Sequence, residues 1–216
     1  MSETSTFDFN AFIKESKETL LNPKAYFSTM KTSGGWAEPL IKAVIYGAVA
    51  GIIAFIWSIV GLSGLKAGMF GGAIGAMALV WSIVGAVIGL FIGAVILLII
   101  SSICKGSTDF EANGRVVAAS MVIMPINALL AFTAAISSWL GLIISLAVSL
   151  YALYIMYHGL VESLKAKPET ARIVMYILAA LLVLFMLLGM STRNKMNKYL
   201  DNPELKEMLQ DLEKQG

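Results

Sequence analysis

Long apolar blocks alternate with short polar ones along this chain. Almost all of the charge lies in residues 1–42, 105–115, 162–172 and 193–214. The blocks between them are about 20 residues or longer, enough to cross a hydrocarbon core of about 30 Å as helices. The pattern predicts an all-α, polytopic membrane helix bundle with five transmembrane helices, near 40–62, 82–103, 114–136, 139–160 and 172–190. Residues 1–39 then form an N-terminal segment, 40–190 the transmembrane domain and 191–216 a tail. That tail is expected to be partly helical, because Leu200, Leu205, Met208, Leu209 and Leu212 give it an amphipathic pattern.

Residues 67–103 carry no charge at all. One straight helix of that length would run to roughly 55 Å, too long for a single crossing. Gly68, Gly71, Gly72 and Gly75 loosen its first half, which is expected to form a short helix at the outer interface or dipping into the membrane. The distribution of charge bears on the count. With five crossings and a cytosolic N-terminus, Lys14, Lys17, Lys24, Lys31, Lys42, Lys105, Arg115, Lys165, Lys167 and Arg172 share the cytosolic side. The outer loops then keep only Lys66 before the tail, which is extracytoplasmic. A sixth crossing would move the segments at 105–115 and 162–172 outside with their positive charges, against the positive-inside tendency.

The N-terminal segment has a helical period. Asp8 or Asn10 can cap a helix running to about Leu21, and Pro23 ends it by lacking an N–H donor and disfavouring helical geometry just before it. Phe9, Phe12, Ile13 and Leu20 fall mostly on one face, with Lys14 and Lys17 elsewhere. An aromatic face beside lysines suits a helix lying in the membrane interface; packing on the end of the bundle is the other reading, and the two are compatible. Trp36, after the Gly34-Gly35 joint, fits an interface anchor.

Composition narrows the chemistry. Hydrophobic residues make up 58% of the chain and charged ones 14%, against roughly 25% charged in soluble domains. A net charge of +2 gives no reason to expect nucleic acid. The single Cys104 excludes an internal disulfide and a multi-cysteine metal site. The first apolar block starts near residue 40, too late for a cleavable signal peptide. No ionisable residue falls near the middle of a crossing, which argues against a carboxylate proton relay. No phosphate-cradling loop, H-E-x-x-H or nucleophile elbow is present. The expectation is a protein that is not an enzyme and takes no cofactor.

Four polar or small-residue constellations remain. Gly85, Gly89 and Gly93 recur every four residues and would let another backbone approach closely, either within the bundle or in an oligomer. His158 and Glu162 are four apart, on one helix face, and suggest a hydrogen bond at the interface. Pro125 and Asn127 mark a kink that either is satisfied by a neighbouring helix or forms a ligand site. Asp109 and Glu111, beside Lys105 and Arg115, read as surface charges, because no walled pocket is expected there to separate their pKa values.

Leu20-x-x-Pro23-x-x-x-Phe27, the Lys105-Gly106-Ser107…Phe110…Arg115-Val116 loop leading to Pro125, and Tyr154…His158-Gly159-Leu160 stand in this order along about 18–190. Together with five crossings, they resemble a prokaryotic Yip1-domain membrane protein. The resemblance implies a cytosolic N-terminus and a five-helix domain. Eukaryotic relatives are associated with vesicle traffic and lipidated small GTPases. Those relatives carry an Asp-Leu-Tyr-Gly-Pro type motif where this chain reads Leu20-Leu21-Asn22-Pro23, and Gly-Tyr where it has Ser120-Met121. The resemblance therefore implies no GTPase partner here.

The expected function is a non-enzymatic integral membrane protein of the plasma membrane that organises membrane or recruits partners through its cytosolic face. Its partners would be membrane lipids, with a homo-oligomer or another membrane protein beside them. The alternative is a carrier or flippase for a lipid or small molecule, using the kink at Pro125 and Asn127.

Overall fold

The computed structural model describes residues 8–62 and 71–200, and all regular structure among them is helical. Helix α1 spans Phe9–Leu21 and opens on Asp8, whose carboxylate accepts from the backbone N–H groups of Asn10 (2.8 Å) and Ala11 (3.1 Å). Asn22 leaves helical geometry, and Pro23 starts α2, Pro23–Thr29. A first-turn proline forfeits no hydrogen bond.

Five segments are long and apolar enough to cross a membrane: Ala37–Ile59, Leu79–Ile103, Phe110–Ile136, Ser138–Ser163 and Pro168–Gly189. The first is α3, Ala37–Ile59, and the second lies within α4, Gly71–Ile103. The expected separate helix in the first half of 67–103 is not found over 71–81, where the backbone is continuous with the crossing. Glycines cost helix stability in water, but inside an apolar run the backbone has no better partner than its own carbonyls. Lys66 and Gly68 lie outside the described residues.

α3 and α4 pack antiparallel and close. A Cβ on Gly47 would stand 2.7 Å from the Ala86 Cβ, and one on Gly51 would stand 3.1 Å from the Leu79 Cα. Ser82 donates to the Gly47 carbonyl at 2.8 Å. The close-packing motif is thus Gly47-x-x-x-Gly51 on α3. Of the three α4 glycines, Gly93 meets Val117, while Cβ atoms on Gly85 and Gly89 would meet nothing within 4 Å. The buried seam of α4 runs instead through Ala86, Leu90, Ala94 and Leu97.

The third crossing is broken rather than simply kinked. It comprises α5 (Phe110–Ser120), α6 (Ile123–Leu130) and α7 (Thr133–Ile136). The first break, at Met121–Val122, lies four residues before Pro125, where the ring would collide with the carbonyl at i−4. Helix α8, Ser138–His158, follows a tight turn and ends in a π-helical turn, Gly159–Ser163. Helix α9 runs from Pro168 to Leu200. It therefore carries helix through 191–200; the amphipathic stretch expected around Leu205–Leu212 lies outside the described residues. The chain divides into two compact units, through Met175 and from Tyr176 onward.

Within the first unit, burial is concentrated at the end that carries α1 and α2. Residues 112–122 are all buried, walled by α1, α3, α4, α8 and the π-turn. The opposite end exposes Trp81, Leu129, Ile136, Trp139 and Ile143, as suits side chains meeting lipid. The loops 104–109 and 164–167 lie at the N-terminal end and pair by backbone, with Ser107 N–H donating to Leu164 (2.7 Å) and Lys167 N–H to Cys104 (2.8 Å). The charged N-terminal segment and both loops thus share one end of the bundle, as five crossings require.

Candidate functional site

Five charged side chains from three helices meet at that end. Glu38 and Lys42 stand one turn apart on α3, Glu15 is on α1, and Glu111 and Arg115 are one turn apart on α5. The Lys42 ammonium reaches Glu15 and Glu38, each at 2.7 Å, and donates to the Tyr26 hydroxyl at 3.3 Å. The second oxygen of Glu38 takes Arg115 Nη1 at 2.8 Å. Arg115 Nε donates to Glu111 (3.0 Å) and Nη2 to the Gly35 carbonyl (2.9 Å), while Gly35 N–H returns a bond to the same Glu111 oxygen at 2.6 Å. Ser16 and Tyr46 share a hydrogen bond of 2.7 Å beside this chain of charges.

Both cations are almost wholly buried, at 5% (Lys42) and 6% (Arg115) exposure. Burying a charge is costly unless it is paired and hydrogen-bonded, and each cation here has three acceptors. The carboxylates remain partly solvated, which limits their own desolvation. Burial holds the Tyr26 hydroxyl above its ordinary pKa, with the Lys42 ammonium opposing; it remains a phenol at neutral pH. A space of about 10 Å³ lies beside Glu38, Lys42 and Arg115, room for about one water. With each of these charges paired, the arrangement can lock α1, α3 and α5 together.

The 34–36 linker is part of the lock. Gly34 and Gly35 take φ of +134° and +89°, which non-glycine residues rarely adopt. They turn Trp36 onto Phe91 and Phe110, with ring centroids 5.2 and 5.0 Å apart. The Trp36 ring covers Gly114 so closely that a Cβ there would overlap it. Trp36 is therefore packed against protein, not a free interface anchor.

The membrane-interface residues expected on α1 separate. Phe12 is 5% exposed and packs on Tyr46 at 5.2 Å between ring centroids, so it belongs to the core. Phe9 (59%), Ile13 (51%) and Leu21 (73%) are exposed, as are Lys14 and Lys17. Tyr151 of α8 donates to the Leu20 carbonyl, so α1 bridges from α3 to α8.

His158 and Glu162 form no hydrogen bond. The π-turn shifts Glu162 out of the i, i+4 register, and His158 lies edge-on to Tyr154 (4.7 Å) and Tyr157 (5.2 Å). Its buried Nδ1 has no partner. Asp109 caps α5 by accepting from Ala112 N–H at 2.7 Å, whereas Glu111 is drawn into the lock. Asn113, fully buried, donates to the Ser107 (3.0 Å) and Asp109 (2.7 Å) carbonyls and fixes the loop. No group of three or more His, Cys, Asp or Glu suited to a metal ion occurs among the described residues. Pro125 and Asn127 fall in the broken crossing, away from the lock.

Sequence reasoning missed Glu38, Tyr26 and Tyr46. The signal was available for Glu38 and Lys42: an i, i+4 acid–base pair at the mouth of an apolar segment.

A chain whose described residues are helical and include five spans long and apolar enough to cross a membrane is a multi-pass membrane protein. A family model of the Yip1 domain matches residues 17–190, and the chain belongs to the Yip1-domain family. No curated protein and no solved structure matches it.

Proposed function

We propose that this protein is a non-enzymatic membrane organiser or recruiter that acts through a cytosolic face built from α1, α2 and the loops at 104–109 and 164–167. One observation carries the reading: α1 is fixed to the bundle on one side by Lys42–Glu15 and Phe12–Tyr46, yet keeps Phe9, Ile13 and Leu21 exposed on another. A helix so held presents an apolar edge at a set depth. The tyrosines it meets, Tyr46 and Tyr151, are residues favoured at the headgroup level, and Lys14 and Lys17 beside that edge suit anionic headgroups. In this reading the N-terminus is cytosolic, because all ten basic residues named above from Lys14 to Arg172 fall on segments grouped at this end.

Crosslinking of the full chain in native membranes, read by mass spectrometry, tests it. The expected result is crosslinks from Lys14, Lys17, Lys105, Lys165 and Lys167 to lipid or to one recurring membrane-associated protein. Capture of neither, with those lysines reacting freely with a water-borne reagent, overturns the reading.

A further inference from the structure

We propose that the cavity between α6, α7 and α8 binds the neutral glycerol-ester region of a glycerolipid from the surrounding membrane. The cavity measures about 220 Å³ and is lined by Asn127, Leu130, Ala131, Thr133, Ala134, Gly141, Ile144 and Ser145. It is open to the surroundings: Asn127, Ala131, Ala134 and Ser145 are all exposed. Asn127 stands nine residues before Ile136, the last residue of the crossing. That is roughly 14 Å along a helix, so the cavity runs from Thr133, roughly 5 Å below the end of the crossing where lipid esters lie, inward to Asn127.

The side chains of Asn127 and Ser145 make no hydrogen bond among the described residues, whereas Thr133 donates to the Leu130 carbonyl at 2.7 Å and can still accept. An amide and a hydroxyl facing hydrocarbon unpaired are costly, and the cost is removed by a ligand that brings carbonyl or hydroxyl oxygens. The chemistry of the lining selects its class. It holds no cation or anion, so a phosphate there would be both desolvated and unpaired. Ester carbonyls and a free hydroxyl match the donors of Asn127 and Ser145. A volume of about 220 Å³ is on the scale of a glycerol unit with its esters rather than of a whole lipid. Close packing closes one side, since a Cβ on Gly141 would stand 2.6 Å from Ala134.

The test reconstitutes the full chain in liposomes containing a photoactivatable diacylglycerol, or a phosphatidylglycerol with the same photoactivatable chain, and maps the labelled peptides. The diacylglycerol probe is expected to label residues around 127–145, with competition by unlabelled diacylglycerol and not by unlabelled phosphatidylglycerol. Asn127→Leu, which removes two hydrogen bonds of about 1 kcal/mol each, should lower labelling by about tenfold or more, and Ser145→Phe should lower it by filling the space. Equal labelling or equal competition by the two lipids marks ordinary lipid contact and overturns the proposal. So does absence of label there, which leaves the cavity to water. The competition arm uses the unaltered chain and stands even where a variant fails to fold.

Discussion

Arg115 and Glu38 stand 77 positions apart in sequence and meet at 2.8 Å, joining the first and third crossings near their N-terminal-side ends. Arg115 also serves Glu111 and the Gly35 carbonyl, so a single guanidinium ties α3, α5 and the linker between α2 and α3. Arg115→Met should destabilise the protein by about 2–3 kcal/mol. That is less than the 3–5 kcal/mol of a fully buried pair, because Glu38 keeps part of its solvation. Arg115→Lys should recover only part of the loss, since one ammonium cannot reach three acceptors laid out for a planar fork. Thermal unfolding of the purified full chain in detergent measures both, and an unchanged midpoint for Arg115→Met would show that the lock adds no stability.

The glycines make opposite predictions on neighbouring helices. Gly47→Ala places a methyl against Ala86 and Ser82, and Gly51→Ala places one against Leu79. Each should cost about 1–3 kcal/mol by forcing α3 and α4 apart. Gly85→Ala and Gly89→Ala meet open space and should leave the midpoint unchanged or raise it slightly, Ala being the better helix former. Destabilisation by the α4 pair would mean that this face is packed against something outside the described contacts.

Much of the architecture follows from the linear pattern because lipid is so restrictive a solvent. Each apolar block must close its own hydrogen bonds, so five blocks become five helical crossings, and the charges between them sort to the ends. What the pattern does not hold is rotation about each helix axis. The α4 block is apolar on every side, so nothing in its own sequence distinguishes Gly85 and Gly89 from the seam through Ala86 and Leu90; only Gly47 and Gly51 opposite decide it. Rotation also separates Phe12, turned inward to Tyr46, from its neighbour Ile13, while Phe9, about one turn before, is exposed near the start of the helix. The lock was hidden for a different reason. Its cations read as loop charges because burial of Lys42 depends on α1, and that of Arg115 on the Gly34-Gly35 linker, folding back onto them, and neither contact is local in sequence.

Cys104 reports on the paired loops. Its side chain is fully buried and burial pushes its thiol pKa up, while its carbonyl accepts from Lys167 N–H. Burial both suppresses the thiolate that reacts and shields it from reagent, and the backbone bond to Lys167 helps to hold the loops closed over it. N-ethylmaleimide at pH 7.5 should therefore modify the native protein at least about tenfold more slowly than the unfolded chain, since a local opening costing only about 1.4 kcal/mol gives that factor. Raising the pH through the ordinary thiol range should bring labelling of an exposed thiol to a plateau, while native Cys104 stays slower throughout and its rate is still climbing where the exposed thiol has levelled off. Ser107→Pro, which deletes the N–H bonded to Leu164, should restore fast labelling. Rapid reaction in the unaltered chain would mean that the loops open freely.

The division of α1 into a buried and an exposed edge can be read by hydrogen exchange in vesicles. Phe9→Ser with Ile13→Ser removes most of the exposed apolar edge, at the loss of the Phe9 ring contact with Phe12 at 6.0 Å between centroids. It should speed amide exchange over residues 9–21 while leaving the unfolding midpoint within about 0.5 kcal/mol of the parent, as for other surface changes. Phe12→Ser should instead cost about 3–5 kcal/mol, because it opens a cavity against Tyr46. Lys14→Glu with Lys17→Glu separates lipid from protein as the cover. Each lysine near an anionic surface contributes about 1 kcal/mol, so this pair should speed exchange in anionic vesicles, more so at low salt, and change nothing in neutral ones. An effect of equal size in both kinds of vesicle would place the lysines against a protein surface rather than a lipid headgroup.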